Sequence, residues 1–427
     1  MNTVHPISMF RQRPRPSDIP GSQPNLHLDT YHTIRTSARA VDAVRNNLRK
    51  ALEHDPDFFS KFFPIDSHIR RTYEQHQNEF RYRNRWSGIP SKPKTVSRLY
   101  TPLNNLLNNI LQIFGLYEDA RRFVTTARKR VHPNLEFPIW PPLLLVGTGR
   151  HFLCRPAERP LPDYGLGISA LEIRLENEDE SLARDRLATD TQQMIHYQYN
   201  RRYTFGLVIS QQTLTVYMFD RSGVVSSPSL DYHAHPQQFC AIIAGLASMD
   251  EARLGLDTSF FRDGPRGVVL TREQAGQGEI KGIEYTLDTT LYYASDLVGR
   301  GTICFTAYEE AAPMTLFVIK DSWVATGNLV GKESEASLIA LARRRGVSKG
   351  IPQIRQVEEL RVRGLNGRVG LDTILGNRQD HSGHHAQLDR VHTRLVMSPY
   401  GKPLHQFSNR KELLLAYHDA IQGELMA

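Results

Sequence analysis

The sequence predicts an α/β protein of the α+β kind. An N-terminal α/β domain is expected over residues 30–275, followed over residues 280–427 by a lobe of antiparallel strands and one helix. Three observations predict this. First, helical periodicity alternates with short β-rich apolar runs in the earlier part of the chain. Second, Arg262 to Gly278 is rich in Gly and charge and reads as a boundary. Third, the later run Leu316-Phe317-Val318-Ile319-Lys320-Asp321-Ser322-Trp323 leads apolar and β-branched residues into one lysine, and a helical pattern opens at Glu335.

In chain order, residues 1–29 hold Pro14, Pro16, Pro20 and Pro24 among polar residues and read as a disordered arm. A helix is expected from Thr36, with Val41, Val44, Leu48 and Leu52 on one side. Phe58, Phe59, Phe62 and Phe63 give an apolar helix face. Ile89 to Lys94 reads as a linker, and Tyr100 to Phe114 as a strongly amphipathic helix. Leu143 to Val146 and Ile168 to Leu175 are strand candidates, and Ala188 to Tyr199 is helical. Tyr203 to Ser210 and Thr213 to Phe219 suggest a hairpin, Asp220-Arg221-Ser222-Gly223 a turn, and Val224-Val225 a further strand. Pro236 to Met249 reads as a buried helix. Tyr285 to Phe305 and Met314 to Lys320 are expected antiparallel strands, with a turn from Glu309 to Pro313. On the Glu335 helix, Leu338, Ile339 and Ala342 are expected to be buried. Arg361 to Asp389 reads as a mobile insertion, Thr393 to Met397 as a strand and Asn409 to Leu425 as a helix.

With 427 residues the chain is long enough for two cores, and its 40% hydrophobic and 23% charged content is that of an ordinary globular protein. Cys154, Cys240 and Cys304 are far apart, which argues against a zinc framework or a disulfide scaffold. No apolar run approaches a membrane span, and the N-terminus has no signal core. The chain is therefore expected to be intracellular, cytoplasmic or nuclear, with no membrane partner. The net charge of +8 permits nucleic-acid binding. Its clusters, such as Arg128-Lys129-Arg130 and Arg343-Arg344-Arg345, sit beside helical patterns and read more simply as solvated faces.

Side chains alternate along a strand, so Leu316, Val318 and Lys320 share a face. Gly299-x-Gly301 supplies a tight turn upstream, and Glu335 lies on the buried side of its helix. A glycine turn, a strand lysine and an inward helix glutamate are the parts with which a kinase grips nucleotide phosphates. Taken singly each part has a plainer reading: a lysine reaching water, or a glycine hairpin without a ligand. The third glycine of the usual loop is replaced by Cys304.

The runs "GRGTICF", "VIKDSW" and "KESEASLIALARRRGV", with "QMIHYQYNRRYTFGLVI", "MFDRSGVVSS" and "LGLD" upstream, resemble the fungal-type protein kinase family over residues 95–427. The resemblance implies ATP-dependent phosphorylation of protein Ser/Thr. It also implies a nucleotide site of Gly299, Gly301, Lys320 and Glu335. Neither His-Arg-Asp nor Asp-Phe-Gly follows Lys320. The expectation is therefore of a chain truncated before the catalytic loop, with most of the large lobe missing. It is expected to be inactive or incomplete, with no catalytic residue assigned, ATP as cofactor and no Mg2+. A non-catalytic scaffold for a protein partner is the competing expectation, and nucleic-acid binding through a basic surface the third. Which protein would be substrate or partner is not specified.

Three smaller motifs have plainer readings. Asp220-Arg221-Ser222-Gly223 reads as a hairpin cap with local Arg pairing, and Arg201, Arg202, Gly255 and Asp257 fall in the same category. The strand-strand-helix order ending at Gln192 and Gln193 resembles a restriction-nuclease-like core. There Glu172-Ile173-Arg174 would stand for the metal-holding element, but Arg174 cannot deprotonate and Leu143 occupies the position of an acid. His381, His384 and His385 read as a solvated loop rather than a zinc site.

Overall fold

The computed structural model describes residues 52–117, 121–126, 141–152, 163–275, 279–294, 296–326, 334–347, 351–363, 369–380, 389–401 and 406–425. The expected arm over 1–29, most of the helix expected from Thr36, Cys154 and the three clustered histidines lie outside the described residues. Among the described residues, no helix is long and apolar enough to cross a membrane.

The first half supplies β1 (Leu52–His54), α1 (Phe58–Phe62), α2 (Ser67–Phe80), the short ribbon β2 (Arg81–Tyr82) and β3 (Arg85–Trp86), and α3 (Ser97–Ile113). Then come β4 (Arg121–Thr125), β5 (Leu143–Gly147), β6 (Gly167–Ile173), α4 (Glu180–Tyr197) and β7 (Tyr203–Ile209). β8 (Thr213–Asp220), β9 (Gly223–Ser226), β10 (Leu230–Asp231) and α5 (Pro236–Leu246) complete it. The sheet order is β1-β9-β8-β7-β6-β5-β4, with β10 paired to β8. Strands β6 and β7 run parallel because α4 carries the chain back between them.

Both faces of this sheet are covered, so its central strands are buried throughout. On one side Gly206 lets α4 approach closely; a Cβ there would lie 2.8 Å from Leu187. On the other side lie α1, α2, α3 and α5. Leu99, Leu103, Leu106, Leu107, Ile110 and Leu111 form the buried stripe of α3. Phe58, Phe62 and Phe63 gather around Phe205. The expected phenylalanine face is thus core.

The second half supplies β11 (Phe260–Asp263), β12 (Arg266–Ala275), β13 (Glu279–Tyr293), β14 (Ile303–Tyr308), β15 (Phe317–Ala325) and α6 (Glu335–Arg344). It continues with β16 (Gln353–Glu359), β17 (Arg361–Arg363), β18 (Val369–Leu371), α7 (Ile374–Arg378), β19 (Arg390–Ser398) and α8 (Arg410–Leu425). Its sheet has the order β11-β12-β13-β14-β15-β19-β16 and is antiparallel throughout. One face, carrying Tyr285, Phe305, Phe317 and Ile319, packs with Phe260 and with Tyr199 of the first half.

The structure differs from the sequence reading at several elements. Strands β11 and β12 fall before the expected boundary near 275–280 yet are hydrogen-bonded into the second sheet. Helix α4 begins at Glu180, eight residues before Ala188, because Asp179 accepts from the Ser181 amide and caps it there. Helix α5 stops at Leu246, and Leu52 lies in β1 rather than in a helix. The insertion after Arg361 holds two strands and α7, and its Arg378 is buried. On α6 no residue is buried and Leu338 is 52% exposed, so the expected buried face is only partly covered.

A buried ionic network joins the halves. Arg394 donates to Asp321 through Nε at 2.8 Å and Nη2 at 2.6 Å, and its Nη2 also reaches Asp257 at 3.1 Å. His392 lies between Asp372, at 3.0 Å, and Asp321, at 3.6 Å. Arg202 pairs with Asp372 at 3.2 Å. Burial works against a charge on His392, but its bonds to the two carboxylates win and lift its pKa to about 9. The folded chain thus holds this proton more tightly than the unfolded one. That stabilisation is complete below the unfolded pKa and is lost as pH rises through the folded one. Between the ordinary value of 6.5 and about 9, unfolding free energy should fall by on the order of 3 kcal/mol. Urea denaturation across that window should show the fall in the wild type and a shallower slope in His392→Gln; equal slopes would show that the histidine is neutral in the fold.

Candidate functional site

Strand β15 presents different chemistry on its two faces. Phe317, Ile319, Asp321 and Trp323 turn toward the first half, whereas Val318 and Lys320 turn the other way and are half-buried. Lys320 stands opposite Cys304 on β14 and Leu395 on β19. Its Nζ lies 2.5 Å from Oε2 of Glu335. Glu335 is the first residue of α6, where Ser334 caps the helix by accepting from the Ser337 amide. A carboxylate in a first turn also interacts favourably with the helix dipole. The pair is partly open to water, with 18% of the lysine side chain and 37% of the glutamate exposed. Burial pushes the Cys304 thiol up to about 11, with Lys320 pulling the other way, so it is a neutral neighbour rather than a nucleophile.

The other two expected site residues lie between β13 and β14. Gly299 has φ +137° and Gly301 φ +51°, conformations that favour glycine. The turn is held against the first half. The Gly299 amide donates to the Arg221 carbonyl at 2.9 Å, and Arg221 Nη1 donates to the Asp296 carbonyl at 2.7 Å. Leu297 is buried in the cluster that contains Phe219 and Val224. The sequence places all four residues in one site. In the structure Lys320 and Glu335 meet each other, while the glycine turn bonds to Arg221 and, through the Arg300 carbonyl, to the Trp323 amide.

Asp220 does cap its turn, accepting from the amides of Ser222 and Gly223. Its carboxylate also binds Arg378 from α7, at 2.6 and 2.9 Å, so the expected local Arg pairing is corrected to a long-range one. Asp257, Asp321 and His392 are close enough together to suggest a metal site. Arg394 already binds both carboxylates there, and His392 is held protonated, so the group is an ion network. The sequence reading missed it. Its one legible signal was the alternation of Arg390, His392 and Arg394, charged residues on one face of a strand.

The restriction-nuclease comparison rested on Glu172 and Arg174. Arg174 donates to the carbonyls of Leu175, Glu176 and Glu178, which makes it a loop clamp. Leu143 is fully buried. Glu172 faces α4, where Arg186 Nε reaches it at 3.1 Å. Asp190, on the same helix, accepts from the Tyr164 hydroxyl at 2.7 Å. Burial lifts Glu172 to about 7 against the pull of Arg186, and burial followed by the Glu172 charge lifts Asp190. An acid whose folded pKa exceeds its unfolded value loses stability as pH rises between the two. Glu172→Gln should therefore make the fall in unfolding free energy from pH 4.5 to about 7 less steep, as read by denaturant titration at each pH.

Comparison with known proteins finds one family. The sequence profile described as Fungal protein kinase matches residues 168–426. That span includes β6 to β9, the whole second sheet, the glycine turn and the Lys320–Glu335 pair. No curated protein and no solved structure matches the chain. With more than half of its residues matched, the chain belongs to the fungal protein kinase family.

Proposed function

We propose that the Lys320 face of the second sheet binds the phosphates of ATP, as the nucleotide-gripping part of a kinase. The ion pair between Lys320 and Glu335 carries this reading. In kinases a strand lysine holds the phosphates and a glutamate from the next helix fixes it in place. A free lysine has four rotatable bonds to order, and a glutamate 2.5 Å away removes much of that freedom in advance. The order of parts agrees: a glycine turn between β13 and β14, the lysine on β15, then the glutamate on α6. Under this reading Gly299 and Gly301 border the same site.

Phosphoryl transfer needs one aspartate to orient the accepting hydroxyl and another to hold the metal. Neither is assigned here. Asp321, next to the lysine in sequence, points to the opposite face and is bound by Arg394, so it offers Mg2+ no ligand at Lys320. The proposal is thus confined to nucleotide binding.

A second reading, a scaffold for a protein partner, draws on α8. That helix exposes Leu414, Leu415, Tyr417 and Ile421, each 52–67% accessible. ATP binding separates the two. Titration calorimetry with ATP should show affinity falling on the order of tenfold in Lys320→Ala and in Glu335→Gln. Unchanged affinity in both variants, or no ATP binding in the wild type, would leave the scaffold reading in its place.

A further inference from the structure

The nucleotide reading leaves Arg300 and the Asp220-Arg221-Ser222-Gly223 turn without a task, yet the fold brings them together. We propose that the glycine turn, Arg221, Arg300 and Arg390 form a second anion site on the face turned to the first half, and that it takes a phosphomonoester dianion.

Arg221 is 3% exposed, and its buried Nε has no hydrogen-bond acceptor. The turn passes directly over this guanidinium: a Cβ on Gly301 would lie 2.4 Å from Nε. Arg300, the residue between the two glycines, is exposed. Its carbonyl accepts from the Trp323 amide at 2.8 Å, which places it beside β15. Arg390 stands across from Ala325 at the end of the same strand. It is half-buried, makes no ion pair among the described residues, and its Nε is likewise buried without an acceptor. Burial and then the nearby charge of Arg300 lower its pKa.

The acid that faces these groups is already taken. Both oxygens of Asp220 are bound by Arg378, which also pairs with Glu53 at 3.0 Å. Asp296 gives Arg221 its main-chain carbonyl. Three cations are therefore gathered, two of them partly withdrawn from water, and among the described residues no carboxylate forms an ion pair with them. Such an arrangement is costly unless an anion completes it. A phosphomonoester brings up to two negative charges and three acceptor oxygens, and guanidinium forks match its geometry. Arginine clusters are a recurring means of holding phosphorylated groups.

Lys320 is no part of this site, although under the nucleotide reading the glycine turn borders both faces. Ala325 shares its face with Asp321 and Trp323, so Arg390 and Lys320 project from opposite faces of the sheet. The proposal accordingly holds whether or not the Lys320 face binds ATP.

Calorimetry on the full chain tests it, with inorganic phosphate, ATP and a phosphoserine peptide as probes. Inorganic phosphate should bind saturably at millimolar concentration. Arg390→Gln and Arg300→Gln should each weaken that binding about tenfold, and Lys320→Ala should leave it unchanged. Neither arginine has an ion-pair partner among the described residues, and Arg300 is exposed, so at least that variant should fold as the wild type does by circular dichroism. A phosphoserine peptide that binds more tightly than phosphate, while its unphosphorylated form does not bind, would assign the dianion to a phosphorylated side chain. Equal binding of phosphate and peptide would assign it to free phosphate. Absent saturation, or equal phosphate binding in the wild type and both arginine variants, overturns the proposal. So does ATP competing with phosphate in a manner that depends on Arg390 and Lys320 together, since that describes a single site.

Discussion

Arg394 is the side chain on which the arrangement of the two sheets depends. It is fully buried and joins Asp257, on the loop that leaves the first half, to Asp321 on β15. Charges in a low-dielectric interior are tolerated only when paired and hydrogen-bonded. Here the pairing is shared between segments far apart in the chain. The first half could not bury Asp257 and Arg202 without the counter-charges that Arg394 and Asp372 bring from the second. His392, Asp372 and Arg202 extend the same logic along the seam.

Fixing Asp321 also fixes its neighbour. Pleating sends adjacent side chains to opposite faces, so a carboxylate locked toward the first half places Lys320 on the outer face, where α6 brings Glu335 to it. One strand thereby serves two purposes. Its inner face is structural and sealed by aromatic packing and ion pairs. Its outer face keeps a partly open lysine and glutamate. The match to the fungal protein kinase family covers the second sheet together with the β6 to β9 part of the first.

The glycine turn shows the same division. In sequence it lies just upstream of the lysine and the glutamate. In space its amide and its backbone path are engaged by Arg221, and Leu297 anchors it in the first core. That docking brings Arg221, Arg300 and Arg390 around the turn, on the side of the sheet away from Lys320.

Local periodicity and composition were enough to read the amphipathic helix α3, the hairpin of β7 and β8, the run into Lys320 and the helix opening at Glu335. Each of those signals is carried by residues within a few positions of one another. The Lys320–Glu335 pair was also legible, because only 15 residues separate its members and the intervening elements are regular. The ionic seam was not. Its partners lie 73 residues apart for Arg394 and Asp321, 158 for Arg378 and Asp220, and 170 for Arg202 and Asp372. A charged residue in a strand has the same local signature whether it meets water or a distant counter-ion. The membership of β11 and β12 in the second sheet was hidden for a related reason, since strand pairing is decided by which edge is free when the chain returns. The sequence determined where many of the strands and helices form and that Lys320 and Glu335 lie close enough to pair. Only the tertiary structure decided which charges neutralise one another, because those partners are brought together from distant parts of the chain.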